Sequence, residues 1–533
     1  MQKGSAARLQ DRGVKMIDIL RKPDDIQIIC EGENVDAIVT TEIIDRKMNV
    51  CIAAEDSHPC FIVLRWNDRA NKPIRIMGDK WERSFADMEW SSLNGEKFMP
   101  WYFMASNGIE TVGCGVMVQP NSFVCFQYDA SGVTAWFDVR CGSKGVCLQG
   151  RTLLAGVVVC EHYQGITEFQ AAKQFCHVMS PNPILPKEPI YGSNNWYYAY
   201  GKSSREEIIS DAKLLAELTA DIENRPYLVV DDGWQMNSCA GPWLPNEKFG
   251  CMKTLADELK NLGIRPGLWF RPLHDLEAYK QHPQWRFQNK GEFECLDPSN
   301  PGVKEYLRNV IRRFRQWGYE IIKHDYSTYD MFERFGFDLN GKVVTSENWS
   351  FYDRTKTSAQ IVLDFYRLIR EEAKDMIVIG CNTFSHFSAG LFELNRIGDD
   401  TSGKNWSRTR ALGVNTIAFR MCQNDSFYKV DADCVGILED RIPWKLNKQW
   451  LTLLAKSGSP LFVSAQPAAL TEEMKRDLKE AFLINAVQDN SVEPLDWLYN
   501  NIPQKWLIDG EIYEFDFVMD SYPALLANRT QEF

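Results

Sequence analysis

Two textures of apolar spacing divide the chain. From about residue 25 to 178 the apolar positions come in short runs. Examples are Ile26-Gln27-Ile28-Ile29, Cys60-Phe61-Ile62-Val63-Leu64, Phe123-Val124-Cys125-Phe126 and the stretch TLLAGVVVCEHY from Thr152. Turn residues such as Asn94-Gly95 and Ser131-Gly132 separate them. Many short strands punctuated by turns predict an antiparallel sandwich. The segment Ser180–Pro189 then carries four prolines and reads as a linker.

Beyond it, strand-like runs alternate with amphipathic helices. Eight strand candidates fall at 190–196, 227–234, 264–270, 321–327, 377–384, 395–400, 428–435 and 459–465. Between the first two, Ser204 and Glu207 form a capping box ahead of Ile208, Ile209, Ala212, Leu215 and Leu218 at helical spacing. Val303, Leu307, Val310, Ile311 and Phe314 repeat the pattern, with Gly318 as a stop. Near-continuous apolar strands alternating with helices imply a buried parallel sheet. Eight such units match one (β/α)₈ barrel of typically ~250 residues. An open doubly wound sheet is the rival, but no G-x-G-x-x-G follows the first strand. The expected organisation is a β-sandwich over 1–180, a linker over 181–189, a barrel over 190–470 and a helix-plus-β region over 471–533. That last region begins with a helix from Thr471 to Phe482 and holds a hairpin around Asp509-Gly510.

Charge and composition narrow the partners. A net charge of −12 disfavours nucleic acid and anionic membrane surfaces. The 15 cysteines are scattered through apolar runs with no C-x-x-C pair, so a structural zinc site is not expected and a reducing compartment is. Met1–Lys15 has no apolar core, and no run reaches the ~20 apolar residues of a membrane span. These features point to a cytoplasmic protein. The 17 tryptophans suit a protein that stacks rings on sugar faces, although most aromatic residues belong to a core.

In a (β/α)₈ barrel the chemistry sits at the C-terminal strand ends. Here those positions carry Asn194, Asn195 and Trp196; Asp231, Asp232 and Trp234; Trp269 and Arg271; Lys323 and Asp325; Cys381 and Asn382; Arg396, Asp399 and Asp400; Asp431 and Asp433. A single Asp after a strand is usually a helix cap. Charged and aromatic residues at so many strand ends of one mouth are harder to explain that way. Seven histidines are few for a His-rich metal site, and no G-x-S-x-G or P-loop occurs. Glycoside cleavage fits: it needs two carboxyl groups flanking the scissile bond, about 5–5.5 Å apart in retaining enzymes. An enolase-like Mg²⁺ site on Asp232, Asp325 and Asp399 is the chemical rival. Lys323, two residues from Asp325 and on the same strand face, argues for a sugar hydroxyl and an ionised carboxylate instead.

At these residues the sequence resembles glycoside hydrolase clan D, family 36, the α-galactosidases and raffinose-type galactosyltransferases. The resemblance runs from Tyr191 to about Gln466, with a weaker echo at GDKWERSFADMEW (Gly78–Trp90). It implies the same order of sandwich, barrel and small β domain. VVDDGWQ resembles the strand whose two aspartates, here Asp231 and Asp232, hold the galactose 4- and 6-hydroxyls. The K-x-D strand would supply Lys323 to substrate and Asp325 as nucleophile. RIGDDTSGKNW is similar to the acid/base segment, with Asp399, directly after the small residue, chosen over Asp400. Asp399 would then need a pKa raised by its site. Arg396 would contact the 2-hydroxyl side, Trp196 and Trp269 would wall the sugar, and Cys381 would touch it. CNTFSHFSAGLFELN departs from the family's Gly-rich stretch. The resemblance implies a retaining exo-α-galactosidase acting on a glycoside or oligosaccharide, with no metal and no cofactor. α-Galactosyl transfer, α-N-acetylgalactosaminidase activity and a non-catalytic sugar-binding barrel stay open, as does homo-oligomer formation.

Overall fold

The computed structural model describes residues 16–33, 35–68, 73–290, 293–339, 347–487 and 491–518. The leading segment Met1–Lys15 and the last fifteen residues of the expected C-terminal region lie outside the described residues.

Two antiparallel sheets form the N-terminal part. One has five strands, in the order Asp25–Glu31, His58–Asn67, Gly132–Asp138, Phe123–Asp129 and Met99–Pro100. The other has seven, in the order Ile38–Ile44, Lys47–Ala53, Thr152–Gln164, Glu110–Val116, Tyr102–Ser106, Arg75–Gly78 and Ser91–Ser92. Alternation sets which face is covered: along Lys47–Ala53, Met48, Val50 and Ile52 are fully buried while their neighbours are half-exposed. Glu110–Val116 is buried on both faces, because the helix Glu168–Met179 lies over it. Gly113 permits that approach, since a Cβ there would strike the Phe175 ring.

The barrel follows. Its strands are β1 (Tyr191–Asn194), β2 (Tyr227–Val230), β3 (Arg265–Phe270), β4 (Ile321–His324), β5 (Ile377–Gly380), β6 (Leu394–Arg396), β7 (Lys429–Asp431), β8 (Cys434–Ile437) and β9 (Leu461–Ala465). All pair in parallel, in the order β7-β6-β5-β4-β3-β2-β1-β9-β8. The two ends of that order, β7 and β8, are halves of one run interrupted at Ala432-Asp433, where Asp433 has φ 71°. The sheet therefore closes as a (β/α)₈ TIM barrel. Alternate residues separate its two faces. Tyr227, Val229, Ile321, Ile379, Leu394, Cys434 and Phe462 form an inner cluster, while Leu228, Val230, Ile322 and Val378 join the core beneath the helices.

Most of the observed strands stop short of the expected runs. The polar residues after them leave the ladder and turn into the mouth, where they meet side-chain partners instead of a neighbouring strand. Among the helices, α1 (Arg205–Leu218) keeps the capping box of Ser204 and Glu207, and α2 (Met252–Asn261) follows it. Then come α3 (Pro301–Gln316), α4 (Ser358–Ala373), α5 (Trp444–Lys456) and α6 (Glu472–Val487). After α6, three short strands, Val492–Pro494, Lys505–Ile508 and Glu511–Glu514, make a sheet. Its hairpin turns at Asp509 (φ 50°) and Gly510 (φ 82°), the two positive-φ positions of a type I′ turn.

Sandwich and barrel share one apolar core. At their junction Arg420 forms an ion pair of 2.7 Å with Asp79, both side chains 0% exposed. Gln423 Nε2 donates to the other Asp79 oxygen at 3.0 Å. Trp101 of the sandwich stacks on His386 of the barrel at 5.1 Å. Among the described residues, no helix is long and apolar enough to cross a membrane.

Candidate active site

At the C-terminal mouth of the barrel lies a cavity of about 140 Å³. It is lined by all nine residues to which the family resemblance gives roles: Trp196, Asp231, Asp232, Trp269, Lys323, Asp325, Cys381, Arg396 and Asp399. The adjoining strand ends explain why they converge.

After β2, Asp231 is held from three sides. Asn195 Oδ1 accepts from its backbone N–H at 2.7 Å, while Asn194 Nδ2 and Lys323 Nζ both donate to Asp231 Oδ2 at 2.7 Å. Burial pushes the Asp231 carboxyl up, against the pull of the Lys323 ammonium. Burial also opposes the charge on Lys323, but Asp231, Cys381 and Asp325 outweigh it and hold the ammonium above its usual range. Asp232 faces a different set of donors: the Gln235 amide, the Cys239 N–H at 2.9 Å and the Cys239 thiol at 3.2 Å.

Asp325 stands one residue beyond β4, and its N–H still donates to Phe270 O at 3.1 Å. Two donors aim its carboxylate: Trp269 Nε1 at 2.9 Å to Oδ2, and the Tyr326 N–H at 2.8 Å to Oδ1. Tyr326 adopts φ 63°, a conformation a bulky residue reaches only where its surroundings impose it. The Arg271 guanidinium lies 4.4 Å from the Tyr326 ring centre and is itself paired with the buried Asp330. His324, between Lys323 and Asp325, points away from the cavity and is fully buried. Burial pushes its pKa down to about 3.

The opposite wall carries the Asp399–Asp400 pair. Asp399 is caught between two cations: Arg408 Nη2 donates to Oδ2 at 2.9 Å, and Arg83 Nη1 lies 3.2 Å from Oδ1. Asp400 lies 3.2 Å from Arg396 Nη2 and 3.7 Å from Arg83 Nη1. Its side chain is 38% exposed against 13% for Asp399. Burial works against the Asp400 charge, but Arg396, Arg83 and Lys323 together bring its pKa below the usual carboxylate range. Arg396 also pairs with Asp433 at 3.1 Å and donates to Cys381 Sγ at 3.6 Å. Asp433 is in turn held by Tyr197 Oη and the Thr401 N–H.

Five lining residues were not singled out from the sequence: Tyr197 and Tyr326, which directly follow Trp196 and Asp325, and Arg83, Cys239 and Phe335. Arg83 comes from the sandwich, at the end of a loop anchored by Ser84 N donating to Ile397 O at 2.8 Å. Only the segment Gly78–Trp90 gave a sign of it. Cys239 and Phe335 come from loops with no distinguishing pattern. The three acids of the Mg²⁺ reading, Asp232, Asp325 and Asp399, each face separate protein donors. Among the described residues, the one group of three His, Cys, Asp or Glu side chains able to share a cation lies in the sandwich.

Comparison with known proteins gives the fold a precedent. No family model and no curated protein sequence matches the chain. Solved structures do. The Thermus thermophilus α-galactosidase TtGalA, solved with p-nitrophenyl α-D-galactopyranoside, is similar at TM-score 0.59 and 16% identity, over 87% of this chain and 97% of that one. The GH36 α-galactosidase AgaA from Geobacillus stearothermophilus is similar at TM-score 0.58 and 14% identity, over 91% and 77%. The galactosidase domain of the α-galactosidase–sucrose kinase AgaSK follows at 0.57 and 15%, over 91% and 75%. The chain has the fold of the GH36 α-galactosidases.

Proposed function

We propose that the protein is a retaining exo-acting α-galactosidase that removes terminal α-galactosyl groups through a covalent glycosyl-enzyme. The observation that carries this reading is one cavity that joins Asp231, Lys323, Asp325, Trp269, Arg396 and the Asp399–Asp400 pair on a fold shared with α-galactosidases. At about 140 Å³ it is smaller than the ~300–1,000 Å³ pockets of drug-sized ligands and suits one sugar ring. Asp231, Asp232 and Lys323 hold hydroxyls of that ring, Trp196 and Trp269 wall it, and Cys381 and Arg396 face its C2 side. Asp325, aimed by Trp269 and Tyr326, attacks the anomeric carbon.

The second carboxyl gives its proton to the leaving oxygen and then takes one from water, with net retention. The family resemblance implies this role for Asp399, with a pKa raised by its site. We place it instead on the neighbouring Asp400, on the strength of the contacts around the pair. Both oxygens of Asp399 are taken by guanidinium groups. Asp400 opens more fully to the cavity and contacts Arg396 and Arg83 from one side. Substrate hydroxyls that engage Arg396 would weaken its hold on Asp400 and let that group carry a proton. The fifteen cysteines are all free thiols, which supports placing the activity in a reducing compartment, the cytoplasm.

The test is hydrolysis of p-nitrophenyl α-D-galactopyranoside beside its α-GalNAc, β-L-arabinopyranoside and α-glucoside analogues. Release from the α-galactoside, absent in Asp325→Ala, supports the reading. Preference for the α-GalNAc substrate, or transfer of galactose to added sucrose in place of hydrolysis, replaces it. Asp400→Asn should lower turnover of raffinose by about 10²–10⁴-fold and of the activated p-nitrophenyl substrate far less. That pattern from Asp399→Asn alone would return the role to Asp399.

A further inference from the structure

The sandwich holds a cluster that the sugar chemistry does not use. Cys114 and Cys160 face each other across antiparallel strands, with their sulfurs 3.3 Å apart and no bond between them. Both are buried, at 0% and 1% exposure. His162 lies two residues along the strand from Cys160, on the same face. Asp18, from the segment that covers this sheet, Cys160 and His162 each offer a ligand atom within 4.8 Å of the others; Cys114 lies outside that group and adjoins it through the Cys160 sulfur.

The histidine is set up in the manner of a metal ligand. Its Nδ1 shares a hydrogen bond of 2.8 Å with Glu110 Oε1, its ring is held by the Cys160 sulfur, and its buried Nε2 makes no hydrogen bond of ordinary geometry. A ligating imidazole almost always gives its other nitrogen to a carboxylate or carbonyl, which fixes the tautomer and the ring orientation. A cation between the imidazole and the Cys160 sulfur would replace that contact with two metal–ligand bonds. In a tetrahedral zinc site with Zn–S bonds of about 2.3 Å, two thiolates sit roughly 3.8 Å apart. The observed 3.3 Å is about half an ångström shorter, so the two strands would part slightly to admit the ion.

We propose that Asp18, Cys160 and His162 form a structural zinc site in the sandwich, with Cys114 drawn in from the adjacent strand as fourth ligand and Glu110 orienting His162. Sequence spacing hides it: the ligands come from three separate segments and contain no C-x-x-C. Zinc there would fasten the buried segment from Met16 to Ile19, whose Met16 N–H donates to the other Glu110 oxygen at 3.2 Å. No step of the proposed sugar chemistry runs through it.

The full chain, purified without chelator, is loaded with ZnCl₂, dialysed, and its zinc measured by elemental mass spectrometry. The expected result is close to one zinc per chain, withdrawn by a strong chelator with a fall in Tm. Cys160→Ser and His162→Ala should lose at least about tenfold in occupancy, Glu110→Gln should weaken affinity by about 10–100-fold, and Cys30→Ser should keep its zinc. The wild-type measurement stands even where a variant does not fold. Absence of bound zinc after loading would overturn the site. So would a two-hydrogen mass loss mapped to a Cys114–Cys160 disulfide in freshly purified protein, since the same thiols would then serve redox chemistry.

Discussion

In the barrel, Asp231, Asp232, Lys323 and Asp325 lie in or within two residues of a strand buried on both faces, and the ladder that fixes the strand fixes the group. In the sandwich, the side chain that reaches the cavity, Arg83, arrives on a loop. Its position depends on distant contacts: Ser84 on Ile397, Glu82 on Asn382, and Asp79 on Arg420. The barrel presents its chemistry through local order. The sandwich presents its share through docking. Disturbing a barrel position should therefore remove a chemical step, whereas disturbing the docking should loosen an aligned group and weaken the fold.

The largest effect should come from the barrel side. Asp325→Asn should lower kcat/KM on an α-galactoside by about 10⁴-fold or more without unfolding the chain, measured against a wild-type thermal melt. Next, Asp79→Ala leaves the Arg420 charge buried and unpaired. It should cost about 3–5 kcal/mol of stability, read from denaturant unfolding, and should lower activity in the same preparation. Full activity at an unchanged KM in that weakened protein would break the link between docking and the site.

Arg83 is a positioning residue in this account. Arg83→Ala should reduce kcat by roughly 10²-fold with little change in KM, and Arg83→Lys should recover part of the loss. A rise in KM alone would make Arg83 a substrate contact instead. The smallest effect concerns Asp211 on α1, beneath the Tyr198 hydroxyl. Burial raises its pKa from 3.8 to about 7. Between those values the unfolded chain releases a proton that the native chain keeps, so stability falls as pH rises through that window. Tm should drop by a few degrees from about pH 4 to pH 7 on this account, and Asp211→Asn should flatten that slope.

The barrel was legible because buried parallel strands write themselves as apolar runs with polar ends. Most of the charged residues at those ends, among them Asp231, Lys323, Asp325, Arg396 and Asp399, line one mouth, whereas Trp234 packs against Trp243, Phe314 and Trp317 beneath the helices. The strands proved shorter than the runs because the terminal polar groups pair with side chains, as Asp231 does with Asn194 and Lys323. What spacing could not reveal was tertiary. Nothing near Arg83 in sequence announces Asp399, more than three hundred residues on. The choice between Asp399 and Asp400 depends on where Arg83 and Arg408 come to rest. The cluster of Cys114, Cys160 and His162 depends on strand register, in which Cys114 falls opposite Cys160.

The central claim is retaining cleavage of an α-galactoside with Asp325 as nucleophile. It is tested most directly by following the first sugar released from p-nitrophenyl α-D-galactopyranoside by proton NMR, before mutarotation, with Asp325→Asn as control. The account predicts α-galactose first from the wild type and none from the variant. β-Galactose first, or equal release by the Asp325 variant, would contradict it.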